Sequence, residues 1–140
     1  MTISASQVKE LREKTGLGLM DCKKALEEAK GDMDLAIEEL RKKSGVKASK
    51  KSGRSAADGL IGILSNGQDS FMIEVNCETD FVARDESYIQ FTEESLKTYA
   101  DNSDKSLEQL LEEGIEANRE KLVQKLGENI VVRRVARTKD

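Results

Sequence analysis

Between residues 71 and 77 the chain alternates with period two. Phe71, Ile73, Val75 and Cys77 fall on one side, and Met72, Glu74 and Asn76 on the other. Alternation of this kind marks a strand with one face buried and one face in water. Just before it, Asn66-Gly67 carries turn chemistry, because glycine accepts positive φ without steric cost. Residues 60–64 supply a short apolar run on the far side of that turn. The stretch 60–77 is therefore expected to be an antiparallel hairpin. A hairpin with one apolar face is not stable alone, so the rest of the chain must cover it.

The residues after the hairpin provide the cover. Tyr88, Phe91, Leu96 and Tyr99 suit a long helix lying on the sheet. Ser106 and Gln109 form a capping box, and Leu107, Leu110 and Leu111 give the short helix behind it an apolar side that ends at Gly114. A further helix carries Leu122, Val123 and Leu126 and stops at Gly127. Residues 129–137 are β-rich, with Ile130, Val131, Val132 and Val135. Their natural place is beside the hairpin. Residues 56–140 thus read as a three-stranded antiparallel sheet packed with helices, and the fold class is α+β.

The first 43 residues keep a different period. Ser4 and Gln7 form a capping box, and Ile3 can staple onto Val8. A helix then runs to about Lys14, with Val8 and Leu11 inward and Gly16 as its stop. A second helix places Cys22, Ala25, Leu26 and Ala29 on one face and ends at Gly31. Asp32 caps a third, with Met33, Ala36, Ile37 and Leu40 at helical spacing. Residues 1–43 are therefore expected to form a three-helix bundle, near the lower size limit for independent stability. The layout resembles a ubiquitin-associated-type domain. Such domains bind partners through the loop between the first two helices and the adjoining face of the third. That loop holds Leu17, Leu19 and Met20, which either fill the bundle's own core or meet a partner.

Residues 44–55 contain Gly45 and Gly53 among serines and lysines, with no apolar period. They are expected to be a flexible basic tether that lets two modules touch separate patches on one partner. Between residues 41 and 54 lie seven basic residues and no acid, in a chain whose net charge is -4. Nucleic-acid contact is the alternative role for such a run. It is the weaker reading, since no aromatic interleaves the run to stack on bases.

Several function classes are excluded or disfavoured. The chain has no histidine, which removes the usual general base, any Ser/His/Asp triad and the commonest metal ligand. It has no phosphate-binding GxxxxGK[ST] loop and no GxGxxG. No enzymatic role, cofactor or metal is expected. Cys22 and Cys77 lie in apolar-periodic segments and are expected as buried thiols rather than a disulfide. No apolar run approaches the roughly 20 residues that cross a bilayer, and residues 1–9 lack the basic start and apolar stretch of a signal peptide. A cytoplasmic location without membrane contact is expected.

Residues 76–84 read Asn-Cys-Glu-Thr-Asp-Phe-Val-Ala-Arg. An acid, Asp80, is followed at once by a large ring, Phe81, where a strand stops and a helix starts. Neither has an obvious partner nearby in sequence. In one reading Thr79 caps the next helix, Asp80 complements its dipole and Phe81 packs inward. In the other, the Asp-Phe pair is a tip that intrudes into another protein.

Six segments, in order, carry a resemblance to bacterial elongation factor Ts, the nucleotide exchange factor of elongation factor Tu. They are Val8-Lys9-Glu10-Leu11-Arg12; Thr15-Gly16 leading into Met20-Asp21-Cys22-Lys23-Lys24-Ala25-Leu26; Gly31-Asp32 with Ala36-Ile37; Ala56-Ala57-Asp58-Gly59; Glu74-Val75-Asn76-Cys77-Glu78-Thr79-Asp80-Phe81-Val82-Ala83; and Gly127-Glu128-Asn129-Ile130 with Arg133-Arg134. The match corresponds to the family's N-terminal domain plus the first half of its core. The resemblance implies that Thr79, Asp80, Phe81 and Val82 enter the G domain of elongation factor Tu. There Phe81 wedges between helices, and Asp80 helps displace the groups that hold magnesium, so that GDP leaves. It also implies docking by the N-terminal domain through Arg12, Leu19 and Met20. Leu19 stands where the family often has Met. Family members usually continue into a second half of the core, so binding weaker than the family's is expected and homodimerisation is left open. The alternatives are a ubiquitin-associated-type binding module without exchange activity, and an RNA-binding protein acting through its basic run.

Overall fold

In the computed structural model, which describes residues 2–139, the chain begins with three helices. These are α1 (Ala5–Thr15), α2 (Leu19–Glu28) and α3 (Met33–Lys51). The first capping box forms as its sequence requires. Gln7 N donates to Ser4 Oγ at 3.2 Å, and Ser4 N donates to Gln7 Oε1 at 2.9 Å. Gly16 ends α1 in the left-handed region at φ 71°. Leu11, Leu17, Cys22, Leu26, Ala36 and Leu40 lie at the centre of a first core. Of the three apolar residues in the α1–α2 loop region, only Leu17 is buried.

The hairpin is β1 (Asp58–Ser65) and β2 (Asp69–Cys77). Asn66 Oδ1 closes the turn by accepting from the amides of Gln68 and Asp69, and Gly67 takes φ 95°. β3 (Val131–Lys139) pairs antiparallel with β2, giving the order β1-β2-β3. It begins two residues later than the β-rich composition suggested, with Ile130 buried just ahead of it. Register shifts between Glu74↔Arg134 and Val75↔Val132, so Arg133 is an extra residue opposite β2. Arg133 Nε then donates to Asn76 Oδ1 at 3.0 Å. This partner explains why Asn76, expected on the wet face, is buried.

Helices cover the other face. They are α4 (Asp80–Ala83), α5 (Glu86–Asp101), α6 (Leu107–Leu110) and α7 (Glu116–Leu126). Phe71, Ile73 and Val75 meet Tyr88, Leu96, Leu110 and Val123 in a second core. The expected stop at Gly114 is a kink instead. Gly114 takes φ 97° and the chain runs on through a wide turn into α7.

The reading of residues 44–55 as a flexible tether is corrected. α3 continues to Lys51. Ala36, Leu40, Ser44 and Ala48, spaced by four, are all buried along one stripe of it. Leu40 belongs to the first core and Ala48 to the second. The single Ser44 Oγ proton is shared between the Leu40 carbonyl, at 3.0 Å, and Gln124 Oε1 of α7. Gly45 lies on the same side, where the nearest atom to a β-carbon would be the carboxylate end of Glu120 on α7, at 3.2 Å. The seam is made of Ser, Gly and Ala, and a pattern of large apolar residues does not register it. Among the described residues, no helix is long and apolar enough to cross a membrane.

Candidate functional site

The tip is built where β2 runs out. Thr79 caps α4: its Oγ1 accepts from Val82 N at 3.4 Å. The helix lasts one turn. Asp85 then takes the amide of Ser87 at 2.9 Å and starts α5 as a new cap. The single longer helix expected after Asp80-Phe81 is thus two helices, broken by this second cap. Val82 and Ala83 are buried and anchor the turn from beneath. Asp80 and Phe81 face solvent, and the Phe81 side chain is 86% exposed. Capping by Thr79 is as expected, but the inward packing of Phe81 is overturned. Asp80 also has a partner that was overlooked, since Arg84 lies one helical turn on at 3.5 Å.

Two buried donors support the floor of the tip. Cys77 Sγ donates to the Thr79 carbonyl at 3.1 Å, and Tyr88 Oη donates to the Val75 carbonyl at 2.5 Å. Burial pushes both the Cys77 thiol and the Tyr88 phenol up from their ordinary values, so each keeps its proton for donation.

The base of the tip is tied to the α7–β3 connection. Gly127 ends α7 at φ 76°, and Glu128 follows. Glu128 Oε1 accepts from the amides of Glu78 at 3.1 Å and Thr79 at 3.0 Å, and Oε2 accepts from Thr79 Oγ1 at 2.7 Å. Glu78 answers across the same gap. Its Oε2 accepts from Asn129 N at 2.6 Å, and its Oε1 pairs with Arg54 Nε at 2.9 Å. Asn129 Nδ2 donates to the Arg54 carbonyl at 2.7 Å. Three distant segments meet here.

A second exposed patch lies on the bundle. Arg12 faces solvent near the end of α1, and Leu19 and Met20 open α2 with 54% and 72% of their surface exposed. Gly18 precedes them at the cap position with no side chain to fold over them. Thr79, Asp80, Phe81 and Val82 therefore share one tip, while Arg12, Leu19 and Met20 lie on the other module. On the uncovered sheet face Ile61, Ile63 and Met72 are also exposed. Beside them Asn76 and Arg134 hold the Glu74 carboxyl below the usual carboxylate range. Among the described residues, no group of three or more His, Cys, Asp or Glu is placed to hold a metal ion.

Fold and site together define an α+β chain with two cores and a projecting Asp-Phe tip. A family model described as "Elongation factor TS" matches residues 78–140, which include that tip. Proteins named elongation factor Ts match nearly the whole chain. The one from Marinobacter nauticus is 53% identical over 135 residues, covering 95% of this chain and 47% of the relative. That of Hahella chejuensis is 53% identical, covering 96% and 48%, and that of Shewanella sp. strain ANA-3 is 55% identical, covering 96% and 47%. By sequence the chain is similar to proteins named elongation factor Ts, and it spans about half the length of the curated relatives it matches.

Proposed function

We propose that this chain promotes exchange of guanine nucleotide on elongation factor Tu, by inserting Asp80 and Phe81 beside the magnesium that helps hold GDP there. The observation that carries the reading is the state of Phe81. A phenylalanine 86% exposed on a turn anchored from beneath contributes little to its own fold. Burying such a ring in a partner is worth about 1.5–3 kcal/mol. That energy accelerates release only if the partner's nucleotide-free state accepts the ring better than its GDP-bound state does. Asp80 supplies a carboxylate next to the ring, and Thr79 and Val82 set its position. Relatives about half identical to this chain bear the elongation factor Ts name, which supports the same reading. Arg12, Leu19 and Met20 form a second docking patch that adds affinity. With α3 helical to Lys51, the two patches sit on one continuous scaffold rather than on either side of a loose tether. Exchange by differential binding requires no covalent step, so this function is not an enzymatic one.

The test is release of labelled GDP from elongation factor Tu, followed by stopped flow with the wild-type chain and with Phe81→Ala. The expected outcome is acceleration by the wild type and at least a tenfold slower rate with the variant. The variant's melting temperature should stay within about 2 °C, because exposed substitutions shift stability by no more than about 0.5 kcal/mol. Equal release rates for the two proteins would remove the wedge role.

A further inference from the structure

We infer that Glu128 is the positioning residue of the Asp80-Phe81 tip, an inference that rests on the exchange reading above. One carboxylate takes two consecutive amides and the Thr79 hydroxyl, at 3.1, 3.0 and 2.7 Å. Three bonds from two oxygens hold two successive peptide planes, 77–78 and 78–79, and the Thr79 side chain. The Thr79 hydroxyl has a single proton. Glu128 takes it, and this turns the lone pairs of Oγ1 toward Val82 N, where the cap of α4 is made. The rotamer that starts the tip helix is therefore selected from across the molecule.

The tip needs such a device. α4 has only four residues, too few to hold a helix by its own hydrogen bonds. Phe81 has almost no packing to fix its bearing. Val82 and Ala83 pin the turn at its far end, and Glu128 pins it at its near end. The return bond from Asn129 N to Glu78 and the Arg54–Glu78 pair keep the 78 and 128 segments from sliding past each other. Glu128 acts on the tip through backbone and Thr79, and nothing in this geometry requires it to touch a partner.

The experiment uses the full chain with Glu128→Ala and Glu128→Gln, and has two readouts. The first is GDP release from elongation factor Tu over a range of factor concentrations. For Glu128→Ala the saturating rate should fall at least tenfold while the half-saturating concentration stays within threefold, because the bundle patch is untouched. Glu128→Gln keeps one acceptor oxygen for the two amides but turns an N–H2 donor toward the Thr79 hydroxyl, so its saturating rate should fall between those of Glu128→Ala and wild type. The second readout is amide hydrogen exchange without a partner. Glu78 and Thr79 amides should exchange at least tenfold faster in Glu128→Ala, while those of Ile73 and Val75 keep their protection. Unchanged tip amides, or an unchanged saturating rate beside an active wild type, would overturn the inference. So would loss of protection at Ile73 and Val75, which would make Glu128 a residue of the fold at large. A wild-type chain that leaves release unaltered sinks the exchange reading instead, and the amide readout then decides by itself whether Glu128 seats the tip.

Discussion

Tyr88 illustrates how single residues hold this site without appearing on its surface. Its ring is fully buried, and its hydroxyl donates to the Val75 carbonyl two residues before Cys77. Tyr88→Phe keeps the ring and removes this bond, so stability should fall by about 1 kcal/mol, read as a lower urea midpoint. The proton has a pH consequence too. Burial raises Tyr88 from its ordinary value of 10.0, and likewise raises Cys22 and Cys77 from 9.0. Below those ordinary values the folded and unfolded chains hold the same protons at these groups. Above them the unfolded chain releases first, so stability drops as pH rises. The fall in unfolding free energy beginning above pH 9.0 should be shallower in Tyr88→Phe than in wild type once pH passes 10.0. Parallel curves for the two proteins would mean the phenol's proton is not the linked one.

At the scale of elements, what was legible depended on how local the cause was. The hairpin, both capping boxes and the glycine stops of α1 and α7 follow from residues within a few positions of each other. The course of α3 was misread because its outer stripe, Ser44 and Ala48, is small, and the partner that buries it lies about 80 residues on, at Gln124 of α7. The α4–α5 break was missed although its signal, Asp85 two residues before Ser87, is as local as any cap. The Glu128 contacts had no local signal. Gly127-Glu128 reads only as the end of a helix until β3 brings it beside Thr79. The α3 result has a direct check. Gly45→Ala should stabilise the protein by about 0.5–1 kcal/mol, the helix-propensity difference. The added methyl meets only the flexible end of Glu120 at 3.2 Å, which can swing away. A tether at residues 44–51 would give no gain in melting temperature.

For the molecule as a whole, α3 and α7 join two cores that composition alone would treat as separate modules. Each core holds one buried thiol, Cys22 in the first and Cys77 in the second. In urea, with a thiol reagent present, both cysteines should become reactive in a single transition with a common midpoint. Cys22 reacting at clearly lower urea than Cys77 would show that the shared helix does not couple the cores. The ties at the tip reach across a similar span, since Glu128 lies 49 residues beyond Thr79. A chain made from its first residue onward thus carries Asp80 and Phe81 well before it has the carboxylate that seats them. Until Glu128 and Asn129 join, the short turn hangs from the end of β2 with no fixed bearing for its ring. The same bonds that aim the tip also set when it exists: its geometry arrives only with the approach to the third strand.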